Sequence, residues 1–102
     1  MPETFPVEIT AAAETDVGEI WEYIAKENID AANSLVQHLE EQIENLELFP
    51  LRCPLLPENE LLGTDYRYTL YGKYRTIFRI IGSRVIIMRV LHTARMLDTE
   101  LR

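Results

Sequence analysis

Apolar and polar positions follow one period at the start of the chain, another through its middle and a third at its end. Residues 4–10 alternate, with Phe5, Val7 and Ile9 on one side, the two-residue period of a short strand. Pro6 withholds one amide from any ladder, which places that strand at a sheet edge or leaves one ladder position unbonded. Thr10 then stands as an N-cap before Ala11, Ala12 and Ala13, with Glu14 and Asp16 early in the helix that follows, where the helix dipole favours acids. Val17, Ile20, Trp21 and Ile24 recur at helical spacing, so residues 11–27 form an amphipathic helix. Asn28 breaks and caps. Ala32, Leu35, Val36, Leu39, Ile43 and Leu46 make a second stripe, faced outward by Gln37, Glu40, Glu41, Glu44 and Glu47 and ended by Pro50. Two helices joined by so short a break run antiparallel, and residues 11–49 therefore form a helical hairpin.

Residues 50–65 hold Pro50, Pro54, Pro57 and Gly63 and read as a surface connection. The remainder is strand. Segments 66–71, 74–81 and 84–92 are rich in aromatic and β-branched residues and are separated by Gly72-Lys73 and Gly82-Ser83, Gly-X pairs that suit two-residue type II′ corners. The segment from Arg95 to Arg102 is too short for more than a helical turn or a tail. The fold class is α+β, one domain over residues 1–102. An N-terminal edge strand leads into an antiparallel helical hairpin packed on a small antiparallel sheet, in the order β-α-α-β-β-β.

Two-residue corners fix register, and register fixes faces. Regular pairing sets Tyr68 opposite Ile77, Arg79 opposite Ile86 and Arg75 opposite Val90. One face then carries Arg67, Thr69, Tyr71, Tyr74, Thr76, Phe78, Ile80, Val85, Ile87, Arg89 and Leu91, and is the one expected to receive the helices. The other gathers Arg75, Arg79, Arg84 and His92 among Tyr66, Tyr68 and apolar neighbours, including Val90. Cations interleaved with aromatics suit phosphate, carboxylate or protein contacts. The plainer reading, arginines lying flat over apolar residues, stands beside it.

Charge sharpens this only a little. The net charge is −7, divided between residues 1–51 with twelve acids against Lys26 (−11) and residues 52–102 with nine bases against five acids (+4). The acidic total argues against non-specific binding along nucleic acid, which needs phosphate neutralisation; a basic half can still present a local positive field. Cys53 is the one cysteine, so no internal disulfide forms and a reducing compartment is expected. The start, MPETFPVEIT, lacks the basic and apolar regions of a secretory leader, and no apolar run approaches the ~20 residues of a membrane span. A cytoplasmic domain is expected. His38 and His92 are far apart and with one cysteine make no metal set, and no glycine pattern cradles a phosphate, so neither metal nor cofactor is expected. His92, ending the last strand near several arginines, is open to two roles: a neutral general base or a hydrogen-bonding strand terminator.

Nearly the whole chain resembles the RelE/ParE toxin superfamily of bacterial type II toxin–antitoxin systems, and more closely its ParE (plasmid stabilisation) branch. The resemblance rests on Ala12, Asp16-Val17-Gly18-Glu19-Ile20-Trp21 and Tyr23-Ile24-Ala25, then Asn28, Ala31-Ala32, Leu46 and Phe49-Pro50. In the sheet it rests on Tyr66-Arg67, Tyr74-Arg75-Thr76-Ile77-Phe78-Arg79-Ile80 and Val90-Leu91-His92 with Arg95. It implies a toxin that inhibits DNA gyrase by binding and trapping its cleaved-DNA complex, with Arg67, Arg75, Arg79, His92, Arg95 and the C-terminal segment as target contacts. The alternative it implies is a ribosome-dependent mRNA endonuclease of RelE type, with Arg75 and Arg95 on phosphates and His92 assisting proton transfer. Against that, Tyr66 and Tyr68 stand where the nuclease branch has basic residues, and Leu101 about where it has a tyrosine. A third reading is a non-toxic antitoxin-binding module. The implied partners are a ParD-like antitoxin, gyrase, and operator DNA only through the antitoxin complex. A homodimer or a heterotetramer with the antitoxin is compatible with each reading, and no membrane contact is implied.

Overall fold

The computed structural model describes residues 4–95. Its elements are β1 (Val7–Ile9), α1 (Ala11–Ala25), α2 (Ile29–Asn45), a 3-10 turn (Pro50–Arg52), α3 (Asn59–Leu62), β2 (Arg67–Tyr71), β3 (Tyr74–Ile81) and β4 (Arg84–His92). The α+β order expected from the sequence is present. Both caps form: the Thr10 hydroxyl accepts from the Ala13 amide at 3.2 Å and donates to the Ile87 carbonyl at 2.8 Å, and Asn28 Oδ1 accepts from the Ala31 amide at 2.9 Å. Each satisfies an amide that the first helical turn would otherwise leave open. Trp21 Nε1 donates to Asn33 Oδ1 at 2.8 Å and ties the two helices near their bend.

The sheet order is β1-β4-β3-β2. Both hairpins turn on glycine, with φ +56° at Gly72 and +60° at Gly82, a conformation that costs other residues a steric clash. The sheet is mixed rather than wholly antiparallel, because β1 runs parallel to β4, with Val7 beside Val85 and Ile9 beside Ile87. The reason lies at the other edge. There the connection reaches β2 first: the Leu56 amide donates to the Tyr66 carbonyl at 2.9 Å and the Tyr68 amide to the Pro54 carbonyl at 3.2 Å. The helical hairpin returns the chain along one face, and β1 completes the edge of β4.

A second correction concerns faces. Pairing is regular from the Gly82 corner to Phe78 opposite Ile87, but then Ile77 lies opposite Arg89, which leaves Met88 as an extra residue in β4. This bulge sets Arg75 opposite Leu91, not Val90, and Tyr74 opposite His92. Val90 therefore joins Phe78, Val85 and Ile87 in the core beneath Ala13, Leu39, Ile43 and Leu46 of the helices. Leu91 instead faces away with Ile77.

The connection is more than a surface loop. Leu56, Leu62 and Tyr66 fold onto Ile77 and Leu91 as a second, smaller core on the outer face. Asn59 pins it, donating to the Tyr66 carbonyl at 2.8 Å and accepting from the Tyr66 amide at 3.0 Å. The expected open face is thus partly roofed.

Candidate binding site

The bulge, the first helix and the β2–β3 corner together make a groove of about 470 Å³. Helix α1 supplies Asp16, Glu19, Ile20 and Tyr23. The sheet end supplies Lys73 from the corner, Tyr74, and Val90, Leu91, His92 and Arg95 from the last strand and its exit. With regular pairing Val90 and His92 would lie on the outer face, so the extra residue in β4 is what brings them to α1.

Asp16 is 5% exposed and organises one wall. It accepts from Arg89 Nε at 2.5 Å and Nη2 at 2.8 Å, and from the Val90 amide at 3.0 Å. β1 ends at Ile9, so beyond Ile87 this edge of β4 has no strand beside it among the described residues, and the carboxylate stands in for one. Its charge is held by these donors and is not offered to the groove.

The His92 ring meets Tyr74 edge-on, centroids 5.7 Å apart at 82°. Its Nδ1 receives the Ala94 amide proton at 3.0 Å, so in the neutral ring the proton sits on Nε2. The Thr93 amide donates to the Lys73 carbonyl at 2.8 Å, and the Arg95 amide to the His92 carbonyl at 2.9 Å. One nitrogen of His92 is occupied as an acceptor and the other is a donor. The ring can hold a partner's carbonyl, carboxylate or phosphate oxygen, but offers no lone pair to a reacting hydroxyl. Tyr23 is 73% exposed, and with Lys73 and Arg95 it gives the rim an aromatic face and two cations opposite Glu19.

The remaining expected contacts lie elsewhere. Arg75 is 7% exposed under the roofing connection. It donates through Nη1 to Glu58 Oε1 at 3.0 Å and through Nη2 to Glu58 Oε2 and to the Arg95 carbonyl, the last at 2.7 Å. Arg67 Nη1 donates to the Cys53 carbonyl at 2.6 Å and the Leu51 carbonyl at 3.3 Å, fastening the connection on the helix side. Arg79 is half-buried on the outer face opposite Ile86. Arg84, exposed, pairs with Glu8 at 2.9 Å. The structure thus joins His92 and Arg95 in one groove, sets Arg75 behind Arg95, and leaves Arg67 and Arg79 apart. The C-terminal segment beyond Arg95 lies outside the described residues.

Sequence reasoning did not single out Tyr23, Lys73 or Glu58 as site residues. Tyr23 carried a signal, an aromatic off the Val17–Ile20–Ile24 stripe and so committed to solvent. Glu58 carried none, being one acid in a proline-rich connection 17 residues from its partner.

Burial pushes the Cys53 thiol above its ordinary value, partly opposed by the nearby Arg67 charge, which makes it a poor nucleophile at neutral pH. Among the described residues no group of histidine, cysteine, aspartate and glutamate could hold a metal ion, and no helix is long and apolar enough to cross a membrane.

Two solved structures share this architecture. One is the chromosomal ParDE toxin–antitoxin system from P. aeruginosa, at 20% identity and a TM-score of 0.70, covering 88% of this chain and 97% of that one. The other is the toxin–antitoxin complex RelBE2 from Mycobacterium tuberculosis, at 23% identity and a TM-score of 0.65, covering 87% and 98%. No curated protein matches the chain by sequence. Over residues 7–97 the sequence matches the family described as the ParE toxin of the type II toxin–antitoxin system, parDE, and with nearly the whole chain matched it belongs to that toxin family.

Proposed function

We propose that this toxin acts by binding rather than by cutting RNA, inhibiting DNA gyrase and trapping its cleaved-DNA complex, with the groove between α1 and the end of β4 as its contact surface. The observation that carries the reading is the state of the residues a nuclease would use. Arg75 is buried in an ion pair with Glu58, so its guanidinium is not offered to a phosphate. His92 has its Nδ1 occupied by the Ala94 amide, so it lacks the free lone pair a general base needs. Within the groove, His92, Arg95, Lys73 and Tyr23 can still recognise a partner. Arg79 adds a cation on the outer face, and Arg67 and Arg75 act by holding that surface in shape.

A ParD-like antitoxin is the second partner in this reading. Both structural relatives are toxin–antitoxin systems, and this chain leaves large apolar residues exposed, among them Leu51, Leu55, Leu61 and Leu70, which suit a covering peptide. Operator DNA enters only through that complex, consistent with the net charge of −7.

A gyrase supercoiling assay with the purified protein tests the target. The expected result is loss of supercoiling with accumulation of linear or nicked DNA. Unimpaired supercoiling, together with ribosome-dependent mRNA cleavage that disappears in Arg75→Ala, would instead establish the nuclease. Unaffected growth on expression without antitoxin would reduce the protein to a binding module.

A further inference from the structure

We infer that Glu58 is a positioning residue for the groove, acting through Arg75 on the backbone of Arg95; this rests on the reading of the groove as the contact surface. Glu58, in the connection, and Arg75, in β3, are each 7% exposed, an unusual burial of two charges in so small a protein. A buried ion pair of this kind is a weak source of stability, since desolvation offsets most of the attraction. Its geometry suggests another use. Both terminal nitrogens of Arg75 engage the two carboxylate oxygens of Glu58. This fork-to-fork contact fixes the plane of the guanidinium. With that plane fixed, Nη2 has its second proton aimed at the Arg95 carbonyl, 2.7 Å away.

The other hydrogen bonds of the exit segment are made within the corner. Thr93 is tied to Lys73, and Ala94 and Arg95 are tied back to His92. The Arg75 bond alone, among those described, joins the segment to the outer face. It holds the carbonyl of the residue whose side chain lines the groove rim. Glu58 therefore sets the orientation of Arg95 at the groove rim, without touching a target itself. A lysine in place of Arg75 has no fork and cannot serve both oxygens and the carbonyl in fixed geometry.

Trypsin reads this contact, because the bond it cleaves after Arg95 contains the clamped carbonyl. The variant is the apolar pair Glu58→Leu with Arg75→Met, which keeps the outer core filled and leaves no lone buried charge. Cleavage at Arg95 should be at least ten-fold faster than in the parent, with cleavage at Arg84 and Arg89 inside β4 unchanged. Growth arrest on expression without antitoxin should fall at least ten-fold. Unchanged cleavage at Arg95 overturns the positioning role. Faster cleavage at Arg95 with undiminished growth arrest upholds the clamp and overturns the groove as the contact surface. If cleavage rises at all three arginines, the double variant has lost its fold, and Arg75→Lys is read by the same criteria.

Discussion

Asp16 shows how a single side chain decides an edge. Its carboxylate occupies the place where a neighbouring strand would bond β4, and it holds Arg89 as well. Arg84–Glu8, with both side chains about half exposed, is a different case: such surface pairs contribute about 0–1 kcal/mol. Asp16→Ala removes a buried carboxylate from two donors at once and leaves the Val90 amide without its acceptor. The expected loss is about 3 kcal/mol, seen as a thermal midpoint lower by about 10 °C or more. Glu8→Ala, measured beside it, should move the midpoint by no more than a few degrees. If the two variants fall by the same amount, the edge role of Asp16 is wrong.

At the scale of elements, the hairpins show what was legible and what was not. The helical stripes, both caps and the glycine corners could be read because each is a local pattern of a few residues, and each is where the sequence placed it. The faces could be read only as far as the bulge. Equal pairing through a two-residue corner needs strands of equal length, and the segments 74–81 and 84–92 differ by one residue. The apolar run Val85-Ile86-Ile87-Met88 hid where the extra residue sat, since nothing in it favours one face. The roof over the outer face was illegible for another reason: Leu56, Leu62 and Glu58 find partners in β3 and β4, and proline-rich spacing says nothing of distant partners. Cross-linking tests the register directly. In a Cys53→Ala background, Thr76→Cys with Val90→Cys should oxidise to a disulfide, as residues directly opposite lie within bridging reach. Thr76→Cys with Arg89→Cys, the pairing without the bulge, should remain reduced. The reverse outcome would restore the regular register and remove His92 from the groove.

On the scale of the whole molecule, two cores share one sheet. The larger lies under the helices and the smaller under the connection, with Phe78 and Ile77, adjacent in β3, each fully buried in a different one. Removing either layer exposes the other's floor, so the two should melt together. Leu56→Ala, placed in the small core alone, is expected to lower stability by about 2–5 kcal/mol and to shift the urea transition without splitting it. A biphasic transition would show that the connection is an independent flap.

β1 finds its partner in residues 85–87, and the hydroxyl that caps α1 is tied to the Ile87 carbonyl, 77 positions later. Such distant closure slows folding. During synthesis, the first strand must wait for almost the last one to emerge. A ribosome that stops short of β4 releases a chain that lacks one of the two central strands, has no seat for β1 and has no groove. The order of the strands thus makes the surface proposed for target contact a property of the finished chain alone: a fragment does not carry it.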